Sequence, residues 1–447
     1  MGPPKKQLEV VIVGGSLSGL MCGVALKHAG HTVTIIEKAD DERQSHMAGV
    51  CLGLDAQRFL ARHDRFDEVF SHRSLRIQAL KKDGTIQPFV NARREITSWD
   101  TYYFRLRALF DGYTSSFYSS PAQTADTDGP VSYRSRHEVT DITVVKEDAG
   151  SKMALAVLDY KTQEVSKMKA DLVIGADGPD SIVRARYLPD TRRQYVGYIA
   201  WRGTVPESEV SDATREVFKR SATVYMMHRH HCITYTIPGK NGSLKPGERY
   251  INFLWYTNHT SDELDEIMVD GVDGHRHHNI VPSGHVREDI WKERIEEAKR
   301  IPLGAPFLDV ITKIKDPFIQ VITDFYSPHA SFEDGKVLLI GDALSLFRPH
   351  TAFSGTQAAF HSLMVEDLVA GKMSLEKWED KVLRFSYLHW LQSAWYGNFY
   401  QYQMAYALTS VFQFWTYCGI DWIKSWWTGE EALLRGVSLL VEQYDSP

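Results

Sequence analysis

Three small residues and a carboxylate near the start of the chain have the spacing of an anion-binding turn. Gly14, Ser16 and Gly19 occupy the three positions of a G-x-G-x-x-G fingerprint, with serine in the middle. A pyrophosphate is a dense anion, and a helix N-terminus offers it unpaired N–H groups and the positive end of a dipole. The backbone must approach closely, so the side chains there must be small. Glu37 lies 18 residues beyond Gly19, where a carboxylate accepts hydrogen bonds from a ribose hydroxyl. Leu17 and Lys38 complete the expected nucleotide contacts. The competing reading is a tight βα turn in some other α/β fold.

These residues require particular elements around them. Residues 8–13 are a valine-rich apolar run that reads as a buried strand. After the turn over residues 14–19, residues 20–29 have helical spacing, with Leu20, Val24 and Leu26 apolar, and Gly30 ends the helix. Residues 31–37 read as a second strand closed by Glu37, which makes a βαβ unit with parallel strands. Further on, residues 171–175 read as a buried strand before Ala176-Asp177-Gly178. Residues 336–340 read as another before Gly341-Asp342, and residues 354–373 as a helix opening at Gly355-Thr356. Residues 74–90 read as paired strands turning at Asp83-Gly84, 98–110 as a helix, and 133–167 as β-hairpin material. From 195 to 258 strand-like runs dominate, notably 222–227 and 250–256. Loops are expected at 239–247 and 270–284.

The three stretches, spread in this order over roughly residues 8–372, resemble the group A flavoprotein monooxygenases, the aromatic-hydroxylase family. Residues 171–184 (Asp-Leu-Val-Ile-Gly-Ala-Asp-Gly-Pro-Asp-Ser-Ile-Val-Arg) look like its DG motif, and residues 338–349 (Leu-Leu-Ile-Gly-Asp-Ala-Leu-Ser-Leu-Phe-Arg-Pro) like its GD motif. The 2,6-dihydroxypyridine hydroxylase-like branch is the most similar. It shares the Gly-Gly-Ser opening, Ser98-Trp99-Asp100, the Tyr-Ile-Ala-Trp-Arg-Gly run over 198–203, residues 252–258, and Arg348-Pro349-His350. Three positions depart from the family pattern: Ser16 replaces a glycine, Ser345 stands where a histidine is common, and no arginine begins the helix near Ser98.

The resemblance implies an α/β protein: a Rossmann-type, PHBH-like FAD-binding domain with an interleaved β-sheet substrate domain and C-terminal helices. The expected boundaries are 7–76, 98–192 and 321–372 for the FAD domain, 77–97 and 193–320 for the substrate domain, and 373–447 for the helices. It implies FAD as cofactor, with NAD(P)H and O2 as co-substrates, and no separate nicotinamide domain. The activity implied is hydroxylation or epoxidation of an electron-rich aromatic or heteroaromatic compound through a flavin C4a-hydroperoxide. A small hydroxypyridine or phenol and a larger indole- or polyketide-like natural product are both open as substrates. The rival activities are a flavin oxidase or dehydrogenase without oxygen insertion, and a non-catalytic flavin-binding protein.

Within that frame, Asp342 is expected to accept from the ribityl hydroxyls, or else to cap a short helix. Asp177 is expected near the pyrophosphate, or else to serve the Asp-Gly turn, with Ser181 and Arg184 bracing it. Gly355 and Thr356 would aim a helix N-terminus at the anionic edge of the reduced flavin, against an ordinary helix start. The catalytic candidates are His350, which titrates near neutrality and can relay a substrate proton, and Arg202, which can orient a phenolate. Their alternatives are a supporting loop residue and a structural salt bridge.

Composition narrows the partners. With 51 Lys and Arg against 57 Asp and Glu, the net charge is −6, which gives no electrostatic reason to expect nucleic acid. Cys22, Cys51, Cys232 and Cys418 have neither metal-ligand nor redox spacing and read as free thiols of a reducing, cytoplasmic compartment. Residues 1–8 are polar and lead directly into a strand, so no signal peptide is expected. Two histidine tracts, His228/His230/His231 and His275/His277/His278, lack an accompanying Asp, Glu or Cys arrangement of known ligand geometry. They read as solvated loop or sheet-surface residues, and no metal is expected. Residues 393–420 are aromatic and almost free of charge, with Trp395, Tyr396, Phe399, Tyr400, Tyr402 and Tyr406 crowded together. Amphipathic helices packed on the FAD domain are the first reading there. A homodimer interface or a peripheral membrane contact is the alternative.

Overall fold

In the computed structural model, which describes residues 7–41, 48–90, 94–148, 150–402, 404–429 and 432–433, the valine- and isoleucine-rich runs pair into a six-stranded sheet. Its order is Ser331–Phe332, Val337–Leu339, Leu172–Gly175, Glu9–Val13, Thr32–Ile36, Val131–Arg134. All neighbours are parallel except the short first strand. The central runs carry apolar residues on both faces because both faces are covered. The helices Leu17–His28, Trp99–Phe110 and Ser354–Val369 form one layer, and the three-stranded antiparallel sheet His137–Glu147, Gly150–Asp159, Val165–Ala170 packs on the other side. The first helix starts at Leu17, not at residue 20. Ser18 and Gly19 are already helical, and glycine there breaks the apolar period that marks the helix in the sequence.

The second sheet has nine strands. Its main path runs Ile280–Val281, Phe318–Tyr326, Gln194–Pro206, Tyr250–Asn258, His230–Ile237, Ala222–Met227, Ile77–Leu80, Ile86–Val90. Strand Phe318–Tyr326 stays in this sheet as far as Tyr326, past the boundary expected at residue 320, because it pairs with Gln194–Pro206 as far as Asp324 and with Ser345–Leu346 beyond it. One face of the second sheet packs a core built around Trp201, Phe253 and Trp255. The other face carries Tyr198, Ala200, Leu254 and Tyr256 toward the first layer.

The C-terminal region forms two long helices, Leu375–Gln401 and Met404–Thr428. The first packs against Ser354–Val369 and the second sheet, as the amphipathic reading expects. Gly397 lets it pass closely: a Cβ there would lie 2.5 Å from the Tyr198 hydroxyl. The second packs on the first through Phe414 and Cys418. Its other side exposes Leu408, Phe412, Trp415, Trp422 and Trp426. Among the described residues no helix is long and apolar enough to cross a membrane. The side chain of Tyr406 and residues 434–447 lie outside the described residues.

One buried cation joins these layers. Arg348 Nε donates to Asp324 of the second sheet, and its Nη1 donates to Asn398 Oδ1 of the C-terminal helix at 2.9 Å. Its guanidinium and the Tyr198 hydroxyl both lie against Gly397 of the same helix. Removing one member of a buried pair strands the other charge. Arg348→Met is therefore expected to cost about 3–5 kcal/mol in urea unfolding. Adding Asp324→Asn to it should recover part of that loss, whereas an unchanged midpoint in the single variant would contradict the pairing.

Candidate active site

The carboxyl ends of the parallel strands open onto a cavity of about 430 Å³, within the range of small-molecule sites. At one end lie Gly14, Ser16 and Leu17. Gly14 has φ +100°, and a Cβ there would sit 2.4 Å from Ala176 O, so only glycine fits. Ser16 is the N-cap but makes no capping hydrogen bond. The first intrahelical bond is Leu20 N–H to Ser16 O. The N–H groups of Leu17 and Ser18 precede it, as the first turn of any helix leaves its donors without intrahelical partners. Gly19 does not face the cavity. A Cβ at Gly19 would lie 1.9 Å from Gly14 O, so its role is to let the helix seat against the turn.

Glu37 and Lys38 line the same end. Glu37 is buried, and its carboxylate accepts from Gly15 N–H at 2.6 Å and Ala39 N–H at 2.8 Å. Two carboxylate oxygens have about four lone-pair positions, so capacity for a sugar hydroxyl remains. Asp177 lines the wall, but its carboxylate is engaged. It accepts from the Ser181 hydroxyl and from Ile182 and Val183 N–H, capping the short helix Ile182–Tyr187. Arg184 braces the same turn through Pro179 O and Ala343 O.

At the far end are Asp342, Ser354 and Gly355. Gly341 has φ +57°, and a Cβ there would meet Ser18 Oγ at 2.0 Å, so this turn abuts the first helix directly. Gly341 N–H donates to buried His361 Nδ1 at 2.9 Å, an anchor that no sequence motif signalled. Burial pushes the Asp342 carboxyl up to about 6, with the Arg193 guanidinium opposing. The helix Ser354–Val369 also starts without a side-chain cap, and Gln357 is the first residue whose N–H finds an intrahelical carbonyl. The Thr356 hydroxyl accepts from Gly53 N–H at 3.1 Å, so only the Thr356 backbone is directed by the helix start. Both ends of the cavity therefore offer helix N-terminal donors. A carboxylate, Glu37 at one end and Asp342 at the other, lines the cavity beside each. This donor set fits a dinucleotide with a second polyhydroxyl chain, which describes FAD.

Between the cavity and the second sheet runs residues 349–353. Ala352 is held left-handed at φ 52°, a conformation that costs a non-glycine residue about 1 kcal/mol. Arg94 Nη1 ties this segment through Thr351 O at 2.9 Å to a three-stranded sheet formed by Gly49–Leu52, Arg94–Ser98 and His72–Ser74. His350 Nε2 is 2.8 Å from the Tyr198 hydroxyl, and its Nδ1 is buried with no hydrogen-bond partner among the described residues. Burial, then His231 and Arg348, hold its pKa well below the ordinary histidine value, so the ring is neutral.

His350 faces Tyr256, with ring centroids 4.7 Å apart, and His231 at 4.9 Å. His231 corrects the surface reading of its tract. It is buried, sandwiched between Tyr256 and Tyr400 at 4.4 Å each, and accepts from Gln401 at 2.7 Å. Burial pushes it down to about 3. His228 lies beside the left-handed Arg229 in a hairpin turn and shares no strand face with His230. The strand before it ends at Met227.

Arg202 lies on the same face of the second sheet as Tyr198 and Ala200. Its Nη1 donates to Gln320 Oε1 at 2.7 Å, its guanidinium lies 4.9 Å from the Phe318 ring, and its Nε has no partner among the described residues. Among the described residues no carboxylate pairs with it, unlike the salt bridge expected as its alternative. Its charge opposes the rise that burial gives Tyr235 and Tyr256. Tyr235 reaches the first layer at Gly49, where a Cβ would lie 2.3 Å from its ring. Asn252, opposite Tyr235 in register, is buried with neither its Oδ1 nor its Nδ2 hydrogen-bonded among the described residues.

Comparison with known proteins agrees with this geometry. Residues 7–52 match a family described as an FAD binding domain, and residues 195–324 match an FAD binding domain-like family. The chain is 28% identical over 387 residues to 2,6-dihydroxypyridine 3-monooxygenase of Paenarthrobacter nicotinovorans, covering 84% of this chain and 87% of that one. It is 27% identical over 216 residues to 3-hydroxybenzoate 6-hydroxylase of Klebsiella oxytoca, covering 47% of this chain and 50% of the relative. The solved 2,6-dihydroxypyridine-3-hydroxylase from Arthrobacter nicotinovorans superposes with a TM-score of 0.75 at 25% identity, covering 89% of this chain and 94% of that one. A salicylate hydroxylase substrate complex shares the fold, with a TM-score of 0.60 at 19% identity over 94% and 95% of the chains. With its three motifs, its two sheets and these relatives, the chain is an FAD-dependent monooxygenase similar to the group A aromatic hydroxylases, and its cofactor is FAD.

Proposed function

We propose that this monooxygenase inserts one oxygen atom into a small, polar, electron-rich ring of the hydroxypyridine or phenol class. The observation that carries this reading is the sheet face beside the far end of the cofactor cavity. There Arg202 Nε, Asn252 Oδ1 and His350 Nδ1 are buried without hydrogen-bond partners among the described residues. Buried polar atoms are nearly always paired, so orphans on one face mark where a ligand's polar groups go. A largely hydrocarbon substrate would leave all three unpaired, at a cost of about 1–3 kcal/mol each.

FAD, reduced by NAD(P)H, supplies the activated oxygen when bound. In this reading the chain's own groups do the rest. The N–H groups at Ser16 and Leu17, with the helix dipole, hold the pyrophosphate. Glu37 takes a ribose hydroxyl, and Lys38 adds a positive charge beside it. Asp342 accepts from the ribityl chain, and the N–H groups of Gly355 and Thr356 face the flavin edge that becomes negative. Gly19 and Asp177 shape this site without touching its ligand. Arg202 orients an anionic ring oxygen. Neutral His350 bonds the substrate hydroxyl at Nδ1 and Tyr198 at Nε2, a path along which a proton can leave the ring as it is attacked. The surrounding tyrosines exclude water.

The test is a screen of hydroxypyridines and phenols for faster NAD(P)H oxidation by the holoenzyme, with products identified by mass. Product gaining one oxygen atom per NAD(P)H supports the reading, and hydrogen peroxide without oxygenated product indicates an oxidase. Arg202→Lys should keep its FAD but lose product formation. His350→Ala should keep its FAD and lower kcat by about 100-fold or more, and near-normal turnover would remove that ring from the mechanism.

A pH test addresses Asp342. Its carboxyl stays protonated in the cofactor-free fold up to about pH 6, while the unfolded chain ionises nearer pH 4. The folded state therefore binds more protons between these values, and stability falls as pH rises through that window. Stripped of FAD, Asp342→Asn should be more stable than the parent at pH 8 by on the order of 2–3 kcal/mol. It should match the parent at pH 4 and retain FAD less well. Equal stability at both pH values would contradict the buried placement.

A further inference from the structure

The polar loop after residue 268 gathers a second group of side chains, well separated in sequence from the cofactor motifs. Asp270 is buried, and its Oδ2 is 2.9 Å from His277 Nε2 and 2.8 Å from His285 Nδ1. Its other oxygen, Oδ1, is already held by Val272 N–H at 2.6 Å and Asp273 N–H at 3.1 Å. One carboxylate oxygen is thus presented to two imidazoles, and the three ligand atoms lie within 4.8 Å of one another. The tract as written in the sequence points to His275, His277 and His278. The fold instead selects His277 and recruits His285 and Asp270.

We propose that Asp270, His277 and His285 form a site for a divalent transition-metal ion, with Zn2+ the best match. Two imidazole nitrogens and one carboxylate oxygen, with a fourth position left for water, make a donor set that Zn2+ takes in tetrahedral geometry. With metal–ligand bonds near 2.0–2.1 Å, neighbouring donors in a tetrahedron stand about 3.3 Å apart. To admit the ion, the two separations on Asp270 open by about half an ångström, and the imidazole nitrogens, which lie within 4.8 Å of each other, draw toward the same edge length. The hydrogen bonds to Oδ1 fix the carboxylate, as outer-shell partners of metal ligands do. His275, with its ring 4.8 Å from that of His277, stands beside the open position.

The loop is built to hold these residues together. Bridges join Val269 to Arg276 and Asp270 to Val286, and Asp270 N–H donates to His275 O. Between His277 and His285 lies strand Ile280–Val281, which pairs with Ile319 and Gln320. Gln320 is the acceptor that holds Arg202. A bound ion would therefore staple the edge strand that supports the Arg202 partner. This inference does not depend on which substrate the enzyme takes.

The FAD-loaded full-length protein, treated with chelator and exchanged into metal-free buffer, is titrated with Zn2+ against a chromophoric chelator. One Zn2+ per chain is expected, with a higher melting temperature. Co2+ should give the visible absorption of a tetrahedral ion. His285→Ala, at a partly exposed position, and His277→Ala/His285→Ala should keep their FAD and bind Zn2+ at least about tenfold more weakly. No stoichiometric Zn2+ binding by the parent protein would overturn the site. So would equal affinity in the double variant, which would place the ion elsewhere.

Discussion

A guanidinium taken out of water must be surrounded by its own partners, and Arg348 finds them on two separate elements. Asp324 comes from a strand of the second sheet, and Asn398 comes from the long C-terminal helix. The desolvation cost of such a group is several kcal/mol, so the elements cannot drift apart without exposing it or stranding Asp324. The two residues that follow are Pro349 and His350, and the chain then turns through left-handed Ala352 into the helix at Ser354. The place of His350 and the direction of that helix N-terminus follow from where Arg348 is held. Gly397 is the geometric counterpart, because any side chain there would displace Tyr198 and Arg348.

The cofactor end works by close backbone approach. Gly14 against Ala176, Gly19 against Gly14, and Gly341 against Ser18 bring three strand ends and a helix within reach of one ligand. This is the general location of ligands in parallel α/β sheets, outside the carboxyl ends of the strands. Two uncapped helix N-termini face the same cavity from opposite ends, which suits a ligand negative at both its phosphates and its reduced ring. Asp342 illustrates the cost of such a site. Its carboxyl is desolvated to the point of a raised pKa, so it has a strong call for hydrogen-bond donors that a polyhydroxyl chain supplies.

The face opposite the flavin end is aromatic, buried and electrically quiet. His231 and His350 are both kept neutral by burial, and burial pushes Tyr235 up to about 12. Arg202 places a guanidinium on that face, and its charge opposes the rise that burial gives Tyr235 and Tyr256. Neutral imidazoles still bond at both nitrogens, which lets a proton move without adding charge to a dry site.

The local motifs were legible because they depend on neighbours in sequence. Gly14, Ser16 and Glu37 sit at fixed offsets along one βαβ unit. The DG and GD turns follow apolar strands directly, and the order of these motifs is enough to name the cofactor. The helix start at Leu17 and the reach of strand Phe318–Tyr326 were less legible, since a glycine hides one period and sheet membership leaves no local mark. What a side chain does with its second oxygen was not legible at all. The Thr356 hydroxyl is bound to Gly53 and His231 is stacked between Tyr256 and Tyr400, because each found partners tens to hundreds of residues away, while Asp177 is taken up by the short helix that its own turn begins. Asp270 meets His277 and His285 only through the way one loop folds back on itself. Residue type and spacing along the chain determined that this protein binds FAD. Long-range packing, which alone decides burial and pairing, determined which polar atoms remain for a substrate or a metal ion.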